Sequence, residues 1–276
     1  MYGARRLPKF RRPPLIEVVH GVQFRRLPMT IAHPGLFFDL VKERYPRSQT
    51  VPPLPPILED VDSARPPPTF TVMFAGIDNL LPRAWFISND DTMLIQLQSD
   101  RLLLNWRQRS GEAQYPHFES VAQEFRRVYS ELEEFAGRHE LGAIEPNQCE
   151  MTYINHIARY EIGAQMPPLG GTLRLWGDSV GPEWDVPLDD LSFNARYPLR
   201  RKDGQPIGRL SVTLSTLLMP RSEKRLLQLE LTARGAPDPG GWNAVSAFHA
   251  MAHERIVNCF SGITTDSAHE EWERSQ

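Results

Sequence analysis

The amino-acid sequence predicts an α+β protein with a mostly antiparallel sheet and two long helices, arranged as two similar strand–meander–helix halves. Short segments with alternating apolar and polar residues follow one another through connections too short for a crossover, which favours antiparallel pairing. Each group of these segments precedes a long stretch with apolar residues at three- and four-residue steps, a pattern typical of an amphipathic helix. The 276 residues are enough for one continuous domain or for two of ordinary size.

The first half is predicted over residues 13–142, after a basic segment, residues 1–12, that we expect to be a flexible tail. It opens with a strand over residues 15–24, where β-branched residues alternate with polar ones. Pro34 favours the first turn of a short helix. The other strands and the long helix of this half are predicted over residues 69–75, 84–88, 93–98, 101–107 and 116–138.

A proline-rich connector interrupts this half. Residues 46–68 contain eight prolines, so the segment suits neither a helix nor the interior of a sheet. We expect a stiff, extended connector that lies across the surface. The alternative is a proline-rich ligand for another domain.

The second half, residues 143–276, has the same order of elements. Its opening strand, over residues 149–160, is followed by a connector rich in glycine and proline at 163–187. Three strands follow, predicted over residues 191–197, 209–217 and 225–234. A long helix is then predicted over residues 242–260, ended by Gly262, and residues 264–266 cap a last short helix. The shared order favours an internal duplication with a groove between the halves.

Composition excludes several classes of protein. The formal net charge is −3, from 31 basic and 34 acidic residues, so no strong attraction to nucleic acid or to an anionic membrane is expected. Cys149 and Cys259 form neither a disulfide framework nor a zinc motif. No apolar run reaches the ~18 residues that a membrane span needs, and we expect no secretory signal. The glycine pairs lack nucleotide-binding contexts, and we predict no cofactor. The two cysteines are expected to stay reduced, which predicts a cytoplasmic location.

Several segments together resemble a known family. They are PLIEVV at 14–19, LLNWR at 103–107, QCEMTYINHI at 148–157, LTARG at 231–235, FSGITT at 260–265 and WER at 272–274. In this order they are similar to a sporadically distributed bacterial family of proteins of unknown function and of about this length. The resemblance implies no activity, but the family's patchy distribution implies a setting in mobile or defence-associated gene neighbourhoods.

The strand at residues 148–157 carries the strongest candidates for a site. Alternation places Glu150 and His156 on one face and Tyr153 and Asn155 on the other. Glu150 and His156 lie roughly 20 Å apart along an extended strand, so they need partners from other strands. Cys149 and His156 fail as a nucleophile and base for the same reason. The candidate ligand- or partner-binding residues are Glu150, Tyr153, Asn155, His156, Asn105, Arg107, Arg196 and Arg234.

Two further patterns favour other kinds of site. His249 and His253 are four residues apart on the predicted helix, the spacing of paired metal ligands. Ala250 breaks the zinc-protease pattern, so a third ligand such as His269 or Glu270 would be required; otherwise the two histidines form the polar edge of an amphipathic helix. Arginines near aromatic residues fit single-stranded nucleic acid, although the RNP signature is missing.

These observations predict a non-catalytic binding or interaction component that recognises a partner protein or a small ligand, through a polar sheet face and the groove between the halves. By resemblance, its setting would be a bacterial defence or toxin-regulating system. One alternative is an enzyme that acts on a small polar or phosphorylated substrate, with Glu150, His156 and arginines from facing strands. A nucleic-acid-binding accessory protein is the other.

Overall fold

The computed structural model describes residues 7–59, 81–109, 114–161, 169–175, 188–201, 203–219 and 224–275. Within these residues the chain forms one antiparallel sheet with helices, which confirms the predicted α+β class. The strands are β1 (Leu15–Phe24), β2 (Arg47–Val51), β3 (Arg83–Ile87), β4 (Met93–Gln98), β5 (Arg101–Arg107), β6 (Pro146–Glu161), β7 (Ser192–Arg200), β8 (Pro206–Leu218) and β9 (Lys224–Gly235). The helices are α1 (His33–Val41), α2 (His117–Arg138), α3 (Trp242–Ile263) and α4 (Asp266–Glu271).

The opening strands of the two predicted halves lie side by side in the sheet. The strand order is β2-β3-β4-β5-β1-β6-β9-β8-β7. Strands β1 and β6 are antiparallel neighbours, with Gly21 opposite Glu150. On either side, each opening strand pairs with the last strand of its own meander, β5 or β9. The internal duplication stays a prediction.

One face of the sheet packs against the two long helices. Helix α2 contacts β1 and β5, and α3 contacts β6 and β9. The predicted apolar stripes supply the packing: Phe125 of α2 and Ile256 of α3 are fully buried, as is Met151 on the facing strand β6. Burial of each such side chain stabilises the fold by about 1.5–3 kcal/mol. Alternation along the strands therefore leaves the polar side chains for the opposite face.

That opposite face, here called the polar face, is lined by buried polar residues. They come from five adjacent strands and include Gln98, Arg101, Asn105, Arg107, Gln23, Gln148, Thr152 and Thr232, each less than a tenth exposed. Residues 52–59, which follow β2 and form neither helix nor strand, hydrogen-bond to one end of this face. Residues 52–59 of the predicted proline-rich connector therefore lie across the surface as expected, whereas residues 47–51 of it form the edge strand β2.

Residues 9–12 correct the expectation of a flexible basic tail. The backbone N–H of Arg11 donates to the carbonyl of Glu273 at 3.2 Å, and that of Arg12 donates to the carbonyl of Trp272 at 3.1 Å. The ring of Phe10 meets that of Phe260 edge-on, with centroids 5.6 Å apart. The N-terminal segment is therefore held by the C-terminal one.

Other differences from the sequence-based expectations are local. Strand β2 was not predicted, because its exposed residues do not alternate. Gly262 does not end α3, which continues to Ile263, whereas Thr265 caps α4 as predicted by accepting a hydrogen bond from the N–H of Ala268. The predicted strand at 69–75 and most of the connector at 163–187 lie outside the described residues. Among the residues described, no helix has both the length and the apolar character needed to cross a membrane.

Candidate ligand pocket and polar face

A cavity of about 400 Å³, here called the pocket, lies on the helix-covered side of the sheet. It is enclosed by the N-terminal segment, the start of α2, the C-terminal part of α3 and strands β6 and β9. Most of its wall is apolar, as at Leu15, Phe118, Leu231, Ile256, Val257 and Phe260. Its size falls within the range of about 300–1,000 Å³ that is usual for small-molecule sites.

Three polar side chains form a hydrogen-bonded chain in the pocket wall. The hydroxyls of Tyr115 and Tyr153 are 3.2 Å apart, and the Tyr153 hydroxyl lies 2.8 Å from Nδ1 of His253. Two arrangements of protons satisfy both contacts. Tyr115 donates to Tyr153, which donates to His253, or Nδ1 of His253 donates to Tyr153, which donates to Tyr115. Phe118 stacks on the His253 ring with a centroid separation of 4.2 Å and an angle of 6°, and this contact fixes the imidazole plane.

Burial keeps this chain uncharged at neutral pH. Removal from water raises the pKa of the Tyr153 hydroxyl well above its usual value. The same effect lowers the pKa of His253 to about 4. This buried chain therefore presents neutral donors and acceptors beside an apolar wall, a combination that suits an uncharged group of a ligand. Two exposed residues, Lys9 and Glu119, also line the pocket.

The pocket contains two of the predicted site residues. Tyr153 and Asn155 both line it, because they share a face of β6. Nδ2 of Asn155 donates to the carbonyl of Leu229 at 3.2 Å, which fixes the amide against β9. No sequence pattern singles out Tyr115 or Phe118 as pocket residues, since Tyr115 with Pro116 indicates only the start of a helix.

The two histidines considered as metal ligands have other contacts. Nε2 of His249 lies 3.1 Å from the carbonyl of Gly21, and Nδ1 of His253 faces Tyr153. His269, the suggested third ligand, contacts the hydroxyl of Thr264 at 2.8 Å instead. No group of three metal-ligating side chains occurs within the described ranges.

His20 joins His249 and His253 in a cluster that the sequence did not predict. It is fully buried, its ring centroid is 5.1 Å from that of His249, and it stacks on Phe118. In the part of the chain that is described, neither ring nitrogen of His20 has a hydrogen-bond partner. Burial lowers the pKa of His20 well below its usual value, and the neighbouring histidines add to this effect. The cluster is therefore neutral at physiological pH.

The remaining predicted site residues lie away from the pocket. On the polar face, Arg234 sits directly opposite Glu150, and its Nε donates to Glu150 Oε2 at 2.7 Å, with a second contact from Nη2. Arg107 donates to Asp91 Oδ1 at 2.6 Å. These ion pairs already compensate the charges that an enzyme would direct at a substrate.

Asn105, His156 and Arg196 also fail to join one site. Nδ2 of Asn105 donates to Glu17 Oε1 at 2.5 Å. His156 is near a register shift of β6, and its backbone N–H donates to the carbonyl of Pro14. Arg196 lies on the edge strand β7, three strands away from β6. The predicted residues thus do not form one site: Tyr153 and Asn155 line the pocket, whereas Glu150, Arg234 and Arg107 form ion pairs on the polar face.

A search against models of known protein families finds no match, and a search of curated proteins finds none either.

Proposed function

We propose that the protein is a non-catalytic binding component that takes up a small, mainly apolar molecule with one neutral hydrogen-bonding group. The observation that carries this proposal is the pocket, where the Tyr115–Tyr153–His253 chain is set into an apolar wall. Ligand sites combine apolar walls with a few well-placed polar groups in this way. The bound molecule would exchange hydrogen bonds with this chain and bury its apolar part against Phe118 and Ile256.

The pKa shifts favour binding over acid–base catalysis. A general acid or base works best when its pKa lies near the working pH. Burial moves the pKa of His253 down to about 4 and that of Tyr153 upward, so both groups move away from neutrality. A charged ligand would lose its hydration in this pocket without gaining a charged partner among these buried groups.

The setting is part of the proposal. We place the protein in the bacterial cytoplasm, where its two free thiols, Cys149 and Cys259, would stay reduced. By resemblance it would serve a defence or toxin-regulating system, with a partner protein that responds to the bound ligand.

Calorimetric titration with 2-naphthol, a neutral bicyclic molecule with one hydroxyl, tests this proposal. We expect binding at one site, with naphthalene and 2-naphthoate weaker at pH 7. Tyr153→Phe removes one hydrogen-bonding hydroxyl and should weaken the binding of 2-naphthol by about 2- to 12-fold, the equivalent of about 0.5–1.5 kcal/mol.

A matched pair of variants locates the binding. Val257 lines the pocket, whereas its neighbour Asn258 is exposed and lies outside it. Val257→Trp should fill the pocket and abolish binding, and Asn258→Trp should leave binding unchanged. Equal binding of 2-naphthol by the two variants, or no binding of 2-naphthol and naphthalene to the unmodified protein, would overturn the proposal.

A further inference from the structure

We propose that the polar face carries a second site, which binds an extended, proline-containing peptide of a partner protein. Residues 52–59, here called the strap, occupy this site as an internal ligand. The site is a row of four buried side chains, Gln98, Arg101, Gln23 and Gln148. The row lies on the side of the sheet opposite the pocket and shares no residue with it.

The four side chains form one line across four adjacent strands. Gln98 on β4 is opposite Arg101 on β5, Arg101 is opposite Gln23 on β1, and Gln23 is opposite Gln148 on β6. All four are at most 6% exposed. Three strand spacings of about 4.8 Å give the row a length of about 14 Å.

The strap crosses the four side chains in the order of their strands. Gln98 contacts Leu54, and Arg101 donates to the carbonyl of Pro55. Gln23 contacts Ile57, and Gln148 contacts Glu59. These hydrogen bonds are 2.7–3.1 Å long. Five residue steps at the polyproline II rise of about 3.1 Å span about 15 Å. The length of the strap therefore matches that of the row, because its prolines favour this extended form.

The glutamines bind the backbone of the strap rather than its side chains. Oε1 of Gln98 accepts from the N–H of Leu54 at 2.9 Å, and Nε2 donates to the carbonyl of the same residue at 2.9 Å. Gln23 makes the same pair of bonds with Ile57, at 3.1 and 2.8 Å. A carboxamide used in this way replaces the peptide group of a neighbouring strand, so it accepts peptides of differing sequence.

Gln148 repeats this arrangement only in part. Its Oε1 accepts from the N–H of Glu59 at 3.0 Å. Its Nε2 is buried and has no hydrogen-bond partner among the described residues, although Gln148 is only 2% exposed. A buried donor of this kind is costly to leave without an acceptor. A partner peptide that placed a carbonyl there would complete the third pair, which the strap leaves half formed.

One side chain of the strap adds a charge preference. The Glu59 carboxylate accepts from Nη1 of Arg209 on β8 at 2.5 Å, and its side chain is 4% exposed. The apolar side chains contribute less, since Leu54 and Ile57 are only half-buried and Leu58 is 59% exposed. The expected ligand is therefore an extended peptide with prolines and with an acidic residue five positions after the first anchored one.

The test uses the peptide of residues 52–59, PPLPPILE, labelled with fluorescein at its N-terminus. Fluorescence polarisation compares the intact chain with a full-length variant in which residues 52–59 are replaced by glycine and serine. A tethered strap acts at an effective concentration of the order of millimolar. We expect the peptide to bind the strap-replaced chain at least about tenfold more tightly than the intact one.

Two glutamine variants of the strap-replaced chain locate the peptide. Gln23→Met keeps the length of the side chain but removes the carboxamide, so binding should weaken at least about tenfold. Gln49→Met, at an exposed position of β2, should leave binding unchanged. Equal peptide binding by the intact and strap-replaced chains, or by Gln23→Met and its parent, would overturn the proposal.

Hydrogen exchange on the intact chain covers the case in which the strap-replaced variant does not fold. We expect the amides of Leu54 and Ile57 to exchange at least about 100-fold faster than that of Val22 in β1, because the strap opens without unfolding of the sheet. Exchange of the strap amides only together with Val22 would show that the strap is a fixed part of the fold and would overturn the proposal.

Discussion

Acid should destabilise this protein through its buried histidines, and His249 gives the magnitude. Burial lowers the pKa of His249 from 6.5 to about 4. Since the folded pKa lies below the unfolded one, the unfolded chain binds more protons between these values, and the free energy of unfolding falls as pH drops from 6.5 towards 4. At pH 5 the loss from His249 alone is about 2 kcal/mol. His253, whose pKa is also lowered to about 4, acts in the same direction.

Urea unfolding, followed by circular dichroism at pH 7.5 and pH 5.0, measures this loss. His249→Gln removes the titrating ring while keeping an amide N–H that can donate to the carbonyl of Gly21. The drop in unfolding free energy between the two pH values should shrink by about 2 kcal/mol in this variant. Phe248→Leu, at the neighbouring buried position, should lower stability equally at both pH values. A drop in His249→Gln as large as that of the unmodified protein would show that protonation of His249 does not cause the loss of stability in acid.

Three further predictions concern stability and reactivity. A Cβ on Gly235 would lie 2.1 Å from the carbonyl of Ile207, so Gly235→Ala should lower the unfolding free energy by more than about 3 kcal/mol in urea titrations; Gly137→Ala, in open space on α2, should raise it by about 0.5–1 kcal/mol. Glu150→Gln breaks a partly buried ion pair with Arg234 and should lower the unfolding free energy by about 2 kcal/mol at low salt. A loss below about 0.5 kcal/mol would show that this ion pair does not stabilise the fold. Burial raises the pKa of the Cys149 thiol, so mass spectrometry should show its alkylation by iodoacetamide at pH 8 only after unfolding, and rapid labelling of the folded chain would argue against that burial.

Periodicity predicted most of the strands because their two faces have different surroundings. In residues 93–98 and 101–107, the side chains that face the helices are all apolar, and those on the opposite side are polar except for Leu94 and Leu103, so alternation marks the strands at the correct bounds. Strand β2 has no such contrast, since it lies at the sheet edge with almost every residue exposed. It could not be found from pattern alone.

Two residues that line the pocket, Tyr153 and Asn155, were among the candidates from the sequence, and register and packing explain why the others could not be found. Alternation along β6 correctly put Tyr153 and Asn155 on one face. The spacing of His249 and His253 predicts a shared helix face, but it does not tell which strand that face meets. The position of Tyr115 depends on how its loop packs, for which the sequence has no local signal.

The glutamine row shows the same limit. Each glutamine stands near the end of its strand, where a polar residue is ordinary. Only the pairing of β4, β5, β1 and β6 brings Gln98, Gln23 and Gln148 into line. Register is fixed by contacts between strands distant in sequence, so the row becomes visible only in the folded chain.

Nuclear Overhauser effects between bound 2-naphthol and the protein show whether the ligand lies in the pocket, beside the Tyr115–Tyr153–His253 chain. We expect cross-peaks from the naphthol ring protons to the Phe118 ring and the Val257 methyl groups, which both line the pocket. These cross-peaks should vanish in Val257→Trp and persist in Asn258→Trp. Cross-peaks to residues outside the pocket, with none to Phe118 or Val257, would contradict binding in the pocket.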